Sequence, residues 1–370
     1  MALSEHFRRH FGPRDHLYGV LFQAMADDLD AGGIVASICR NHLDAPRSGA
    51  VQLRLLAGVF RVVLRGDAPQ LERFYPALGG TADASECWPV MRDVLTEHED
   101  ELRRALDLPP QTNEPGRAAC LAVGLFHAVR RSELRQIRLL EIGASGGLNL
   151  HVDRYRIIGP GWSWGDAQSP LLLDTRAANA RPETLQIVAR RGCDLQPVDA
   201  SSPDGARYLT SFVWPFDLDR HARLEAALRV AAIHPVRVDR ASASQWLQRH
   251  LAEPMPPEVL TVVWQSITRQ YWRPLPKQPQ STTSLGRPAP GCRSPTSRWK
   301  GSHLRMAGTG TRSLTTDRSS PSTDMWSRAA ITMARRSSWS DPKRLSGMPV
   351  LFRKGTSMSV SQHPSLAARC

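Results

Sequence analysis

The sequence predicts an α/β protein: a helical domain over residues 1–134, a Rossmann-like, mostly parallel sheet over 135–272 that is cut short, and a disordered tail over 273–370. Three observations carry this. Apolar residues recur at helical spacing through the first third of the chain. Short apolar runs then alternate with helical stretches, beginning at a glycine-rich turn. Beyond about residue 272 the composition changes abruptly and the pattern is lost.

In the first part Leu17, Val20, Leu21, Ala24 and Met25 form one apolar face after the breaker Gly12-Pro13. Leu53, Leu56, Phe60 and Val63 form a second, closed by Gly66-Asp67. Val94, Leu95, His98, Leu102 and Leu106 form a third that stops at Pro109-Pro110, and Cys120, Val123, Phe126 and His127 a fourth after Gly116. Spacing of three and four residues with Gly/Pro punctuation marks packed amphipathic helices. The acidic run Glu97-His98-Glu99-Asp100-Glu101 lacks the second His that a helical zinc site needs, and reads as a solvated face. The segment Gln111-Thr112-Asn113-Glu114-Pro115-Gly116-Arg117 is a dense polar cluster between two helices. Its residue types favour a helix cap; the alternative is a loop whose Gln111, Asn113, Glu114 and Arg117 point into a ligand cleft.

The strongest local signal is Ile137-Arg138-Leu139-Leu140-Glu141-Ile142-Gly143-Ala144-Ser145-Gly146-Gly147-Leu148-Asn149-Leu150. It reads as a strand, a tight turn and a helix start, an arrangement that admits close backbone approach and offers free N–H groups to a nucleotide-type cofactor. A dinucleotide fingerprint fails on glycine spacing, and Asp166 does not rescue it. An acid, one residue and then Gly suits S-adenosylmethionine, with Glu141 facing the cationic amino group and Gly143, Ser145, Gly146 and Gly147 admitting the cofactor. Gly143-Ala144-Ser145-Gly146-Gly147 is also a literal G-x-S-x-G elbow, which would make Ser145 a nucleophile. A packed strand–helix connection needing small residues is the third possibility. Element order favours a methyltransferase-like sheet, because everything upstream is helical and a hydrolase elbow follows several strands.

Downstream, Leu185–Val188, Pro235–Asp239 and Val259–Trp264 read as strands, Arg220–Ala232 and Ala243–Leu251 as helices, and Tyr208–Trp214 as a strand or buried helix end. Strands separated by helices imply a parallel sheet, whose ligands bind beyond the carboxyl ends. Glu141, Asp239 and Gln265-Ser266 fall there. Asp239 is a candidate cofactor contact, and equally a helix N-terminal acid. The turns Trp162-Ser163-Trp164-Gly165-Asp166 and Trp214-Pro215-Phe216-Asp217 read as core plugs more readily than as pocket walls. No catalytic base and no metal site are assigned.

The formal net charge is +13, but it is unevenly spread. Residues 273–370 hold 17 basic and three acidic side chains; residues 1–272 hold 31 and 32. Ser, Thr, Pro, Arg and Gly make up 58 of the last 98 residues, and every Lys lies there while the body uses Arg alone. Arg without Lys points to a GC-rich coding sequence, and a switch to Arg, Ser, Pro and Thr at one point is what a shifted frame of such a gene encodes. A frameshift between about Ser266 and Pro274 is therefore expected. If the tail is genuine, it is a basic, disordered segment that binds nucleic acid. No apolar run is long enough for a membrane span, no signal-peptide start is visible, and six scattered cysteines argue for a reducing cytoplasm.

The runs QTNEPGRAACL (111–121), LLEIGASGGLNLHVDRYR (139–156), GCDLQPVD (192–199), FVWP (212–215) and VVWQS (262–266) together resemble one uncharacterised bacterial family, catalogued as domain of unknown function 2332. The resemblance covers roughly residues 7–272. It implies a helical region followed by a methyltransferase-like α/β domain, supplies no substrate, and draws attention to Gln111, Asn113, Glu114, Gly116, Arg117, Arg154 and Tyr155. The chain departs from the family pattern at Gln265, where the family has His, and at Phe216-Asp217, where it has Asp-Gln. The expected function is that of an S-adenosylmethionine-dependent methyltransferase-like protein acting on an unknown small molecule. The alternatives are an esterase built on Ser145 and a non-catalytic nucleotide- or nucleic-acid-binding protein.

Overall fold

The computed structural model describes residues 2–10, 15–267 and, for the backbone alone, 329–334. The breaker at Gly12-Pro13 and the expected disorder of the tail, apart from 329–334, lie outside the described residues. No described helix is long and apolar enough to cross a membrane.

The N-terminal part is helical: α1 (Leu3–Arg8), α2 (Leu17–Asp30), α3 (Ile34–Ile38), α4 (Val51–Arg65), α5 (Pro69–Glu72), α6 (Cys87–Glu97) and α7 (Glu99–Ala105). α4 buries Leu55, Leu56, Val59, Phe60, Val62 and Val63. It ends where Gly66 N–H reaches Val63 O and Asp67 N–H reaches Val62 O, with Gly66 left-handed. The third predicted helix is in fact two, broken at His98. Glu99, Asp100 and Glu101 occupy the first turn of α7, where the free N–H groups favour negative charge. All three acids are also ion-paired, Glu101 with Arg65, and Glu99 and Asp100 with Arg103.

The next helix, α8 (Ala118–Ser132), sits in a different core. Its Ala122, Leu125, Phe126 and Val129 pack with Ile137, Leu139, Leu260 and Val262 of the sheet, whereas the helical cluster ends at Leu106. The two apolar clusters thus divide near residues 107–117. The helical periodicity of α8 shows that it has a buried face, but not which core receives it.

The sheet contains β1 (Gln136–Ile142), β5 (Gln186–Asp194), β6 (Val238–Arg240), β7 (Val259–Ser266) and β8 (Ala329–Ala334), in the order β6-β5-β1-β7-β8. Between β1 and β5 lie β2 (Arg156–Gly159), β3 (Trp162–Gly165) and β4 (Leu172–Asp174), which form a small second sheet ordered β3-β2-β4. The helices α9 (Pro203–Ser211), α10 (Leu218–Ile233) and α11 (Ala243–Ala252) supply the later crossovers. β6, β5, β1 and β7 run parallel, and β8 joins antiparallel to β7. The four parallel strands all lie before residue 273, as the sequence predicts.

A correction concerns the segment after the glycine-rich turn, which is a 3-10 helix, Leu148–Arg154, and not an α-helix. Leu148, Asn149, Leu150, His151 and Val152 are all buried, so this stretch runs through the interior, and the segment reaches the surface only at Asp153 and Arg154. Tyr155 closes it by donating its hydroxyl to Leu148 O at 2.6 Å. The tryptophan turns are structural. Trp162 and Trp164 meet Phe126 edge-on and donate their indole N–H groups to Ala177 O and Glu183 O. Trp214 and Phe216 pack against the helical cluster, and Asp217 caps α10.

Candidate functional site

Leaving β1, the chain moves outward to β5 and β6, then returns to β7 on the other side of β1. The direction of winding reverses between β1 and β7, and the crevice beyond their carboxyl ends is the default ligand position of a parallel sheet. At that point stand Glu141 and the turn Gly143–Gly147 from β1, and Trp264, Gln265 and Ser266 from β7.

Side chains alternate across a strand. Leu139 and Glu141 are level with Val262 and Trp264, on the face that packs on α8 and α10. Leu140 and Ile142 take the other face with Val263 and Cys193, against Trp246 of α11. Asp239 is level with Cys193, so Asp239 and Glu141 lie on opposite faces of the sheet. The structure does not bring these two predicted cofactor residues together.

Glu141 is 1% exposed, Trp264 1% and Asn149 0%. Glu141 Oε2, Trp264 Nε1 and both amide atoms of Asn149 make no hydrogen bond among the described residues. Burial pushes the Glu141 carboxyl up to about 8; the Arg117 guanidinium and the Trp264 and Asn149 side chains oppose this, and Asp194 adds to it. Buried polar atoms of native proteins are almost always satisfied, and such exceptions concentrate at functional positions.

The turn itself is tied to β5. Gly143 N–H and Ala144 N–H both donate to Cys193 O, Ser145 N–H donates to Asp194 Oδ2 at 2.9 Å, and Val198 N–H returns to Ser145 O. Gly143, Ser145 and Gly147 all have positive φ. A Cβ at Gly146 would come within 2.8 Å of Leu209 Cδ1 and 3.2 Å of Ala200 Cβ, so the turn packs closely on its neighbours here. Ser145 Oγ is buried and makes no hydrogen bond among the described residues, so no described histidine is bonded to it.

The polar cluster at 111–117 supplies a cap and several contacts to the elements around it. Glu114 caps the following 3-10 turn by accepting Gly116 N–H, and it is ion-paired with Arg220 at 2.7 Å and Arg223 at 3.2 Å of α10. Asn113 Oδ1 accepts Leu148 N–H at 3.0 Å, which anchors the 3-10 helix that follows the glycine-rich turn. Arg117 donates to Ser266 Oγ at 3.3 Å and acts electrostatically on Glu141. Gln111 donates to Gln196 O just beyond β5. Asn113 and Arg117 thus meet the Glu141 region, while Glu114 is committed to α10.

Asp239 is also committed. It accepts Arg191 through two bonds of 2.7 and 3.0 Å, Arg237 at 3.0 Å and the Trp246 indole at 2.8 Å. Burial favours its neutral form, but Arg191, Trp246 and Arg237 outweigh this and hold it well below the usual carboxylate range. Sequence reasoning passed over Asp194, Asn149 and Trp264. Asp194 had a readable signal, an acid directly after Gly192-Cys193 within GCDLQPVD. Asn149 and Trp264 sit in apolar runs and gave none.

A family model described as "Uncharacterized protein conserved in bacteria (DUF2332)" matches residues 9–281. No curated protein and no solved structure matches the chain.

Proposed function

The chain belongs to this uncharacterised bacterial family, and from that premise we propose that it is a methyltransferase-like protein that binds S-adenosylmethionine at the carboxyl ends of β1, β5 and β7. The observation that carries the reading is Glu141: a buried carboxyl at the winding reversal, with one oxygen unpartnered, beside the Asn149 amide and the Trp264 indole that both favour its charged form. An unsatisfied buried acceptor fits a ligand that brings its own donors.

In this reading Glu141 receives the ammonium of the methionyl part and loses its proton as it does so, because a cation in contact favours the carboxylate. Asn149 and the Trp264 indole offer polar atoms to the same end of the ligand. Asp194 uses one lone pair of each oxygen on backbone N–H groups, Ser145 and Gln196, and keeps others for ligand hydroxyls. Gly143 and Ser145 give the turn its left-handed course and its close backbone approach. When bound, the cofactor supplies an electrophilic methyl group, and the protein's share is to orient it and exclude water. Ser145 without a base gives the esterase alternative no second component.

Calorimetric titration of the protein with S-adenosylhomocysteine tests this. Saturable binding that Glu141→Ala weakens by at least about tenfold is expected, the effect of losing a charge-assisted contact. No heat at millimolar ligand would sink the proposal.

The frameshift belongs to the same reading. Ile267, the first residue after β7, has φ +64, a conformation that a β-branched side chain disfavours. It lies where the composition turns to Arg, Ser, Pro and Thr. The coding DNA across residues 260–280, translated in the other two frames, is expected to continue with alternating strands and helices. If neither frame does so, the basic tail is genuine and nucleic acid returns as its partner.

A further inference from the structure

On the face of the sheet opposite Glu141, a cleft of about 500 Å³ opens between β6 and α11. Arg191, Arg237, Arg240 and Arg249 line it, together with Asp239, Glu253 and His250. Four guanidinium groups thus face two carboxylates. Both carboxylates are already engaged. Asp239 holds Arg191, Arg237 and the Trp246 indole. Glu253 meets His250 Nδ1 at 2.8 Å and the buried Arg138 at 3.5 Å.

What remains is an excess of donors. Arg191 uses Nε and Nη2 on Asp239, and Arg237 uses Nε. A guanidinium carries five N–H groups. Arg240 spends one on Leu195 O at 3.3 Å, and Arg249 makes no hydrogen bond or ion pair among the described residues. Asp239 orients Arg191 through two bonds and Arg237 through one, so part of the ordering entropy of an anion site is met before any ligand arrives. Positive charge in a concave, partly desolvated site also focuses the field on an incoming anion.

We propose that this cleft binds the phosphate group of a small phosphorylated ligand. Arginine matches tetrahedral oxyanions through paired N–H donors, and a dianion balances the two positive charges left over. The site is separate from the Glu141 region and does not depend on what binds there.

Titrating the full chain with inorganic phosphate, against sodium chloride at equal ionic strength, tests it. Saturable binding in calorimetry is expected, with a matching rise in unfolding temperature. The double variant Arg240→Gln, Arg249→Gln, altered only at exposed positions, is expected to weaken phosphate binding by at least about tenfold. Its far-ultraviolet circular dichroism and its response to S-adenosylhomocysteine should match the unaltered protein. A phosphate response no larger than that of chloride, or equal binding by the double variant, would overturn the proposal.

Discussion

Glu141→Gln is expected to stabilise the protein at pH 8 and to leave its stability almost unchanged near pH 5. The Glu141 carboxyl has its folded value raised to about 8 from an ordinary 4.5. A raised value means that the folded state holds the proton more tightly than the unfolded chain. The stability it contributes is complete below pH 4.5 and is lost as pH rises from there to about 8. Glutamine mimics the protonated acid at every pH, so the gap between the two proteins opens by about 3 kcal/mol between pH 5 and pH 8. The comparison has to be made as a difference. His10 and His151 are lowered to about 4 by burial, and their stabilisation grows as pH rises towards 6.5. It opposes the Glu141 effect in the unaltered protein and cancels between the two. Asp239 is lowered, so its effect falls below pH 4, outside the window. Chemical denaturation of both proteins at pH 5, 6.5 and 8 checks this. A gap that stays constant with pH would mean that Glu141 is ionised in the folded protein throughout.

Gly147→Ala should cost about 2–5 kcal/mol, while Gly66→Ala costs only about 1 kcal/mol. Both glycines have positive φ, +71 and +84, so the backbone penalty is shared. At Gly66 nothing lies within 4 Å of the added Cβ. At Gly147 the Cβ would approach Val236 Cγ2 to 2.7 Å and Val238 Cγ2 to 3.0 Å, at the junction of the turn with β6. The difference between the two variants therefore isolates the close packing of the turn against its neighbours. Equal losses, measured by urea unfolding, would leave the turn loosely packed and remove the reason for a glycine there beyond its φ.

Elements with one clear apolar face were legible in the sequence. α2, α4, α8, α10 and α11 follow from spacing alone, and β1 and β7 from short apolar runs bounded by turns. Segments buried on all sides were not. Leu148–Val152 carries no periodicity because it has no exposed side, so its 3-10 course replaced the expected helix start. The small sheet β2-β3-β4 has strands of three or four residues, too short for alternation to register. For the site, residue types located Glu141, Asn113 and Arg117, since buried acids and polar clusters are conspicuous between apolar runs. They could not assign faces. Asp239 ends a strand as Glu141 does, but strand register places it on the opposite side of the sheet, among arginines that take up its charge. Register is set by tertiary pairing, and a single sequence does not state it.

The most direct test of the central claim counts protons. S-adenosylhomocysteine binding at pH 7, followed by calorimetry in two buffers of different ionisation enthalpy, should release a proton as Glu141 meets the ligand ammonium, and the release should vanish in Glu141→Gln. Binding with the same proton count in both proteins, or no binding at all, would contradict the assignment of Glu141 as the cation-receiving group of this site.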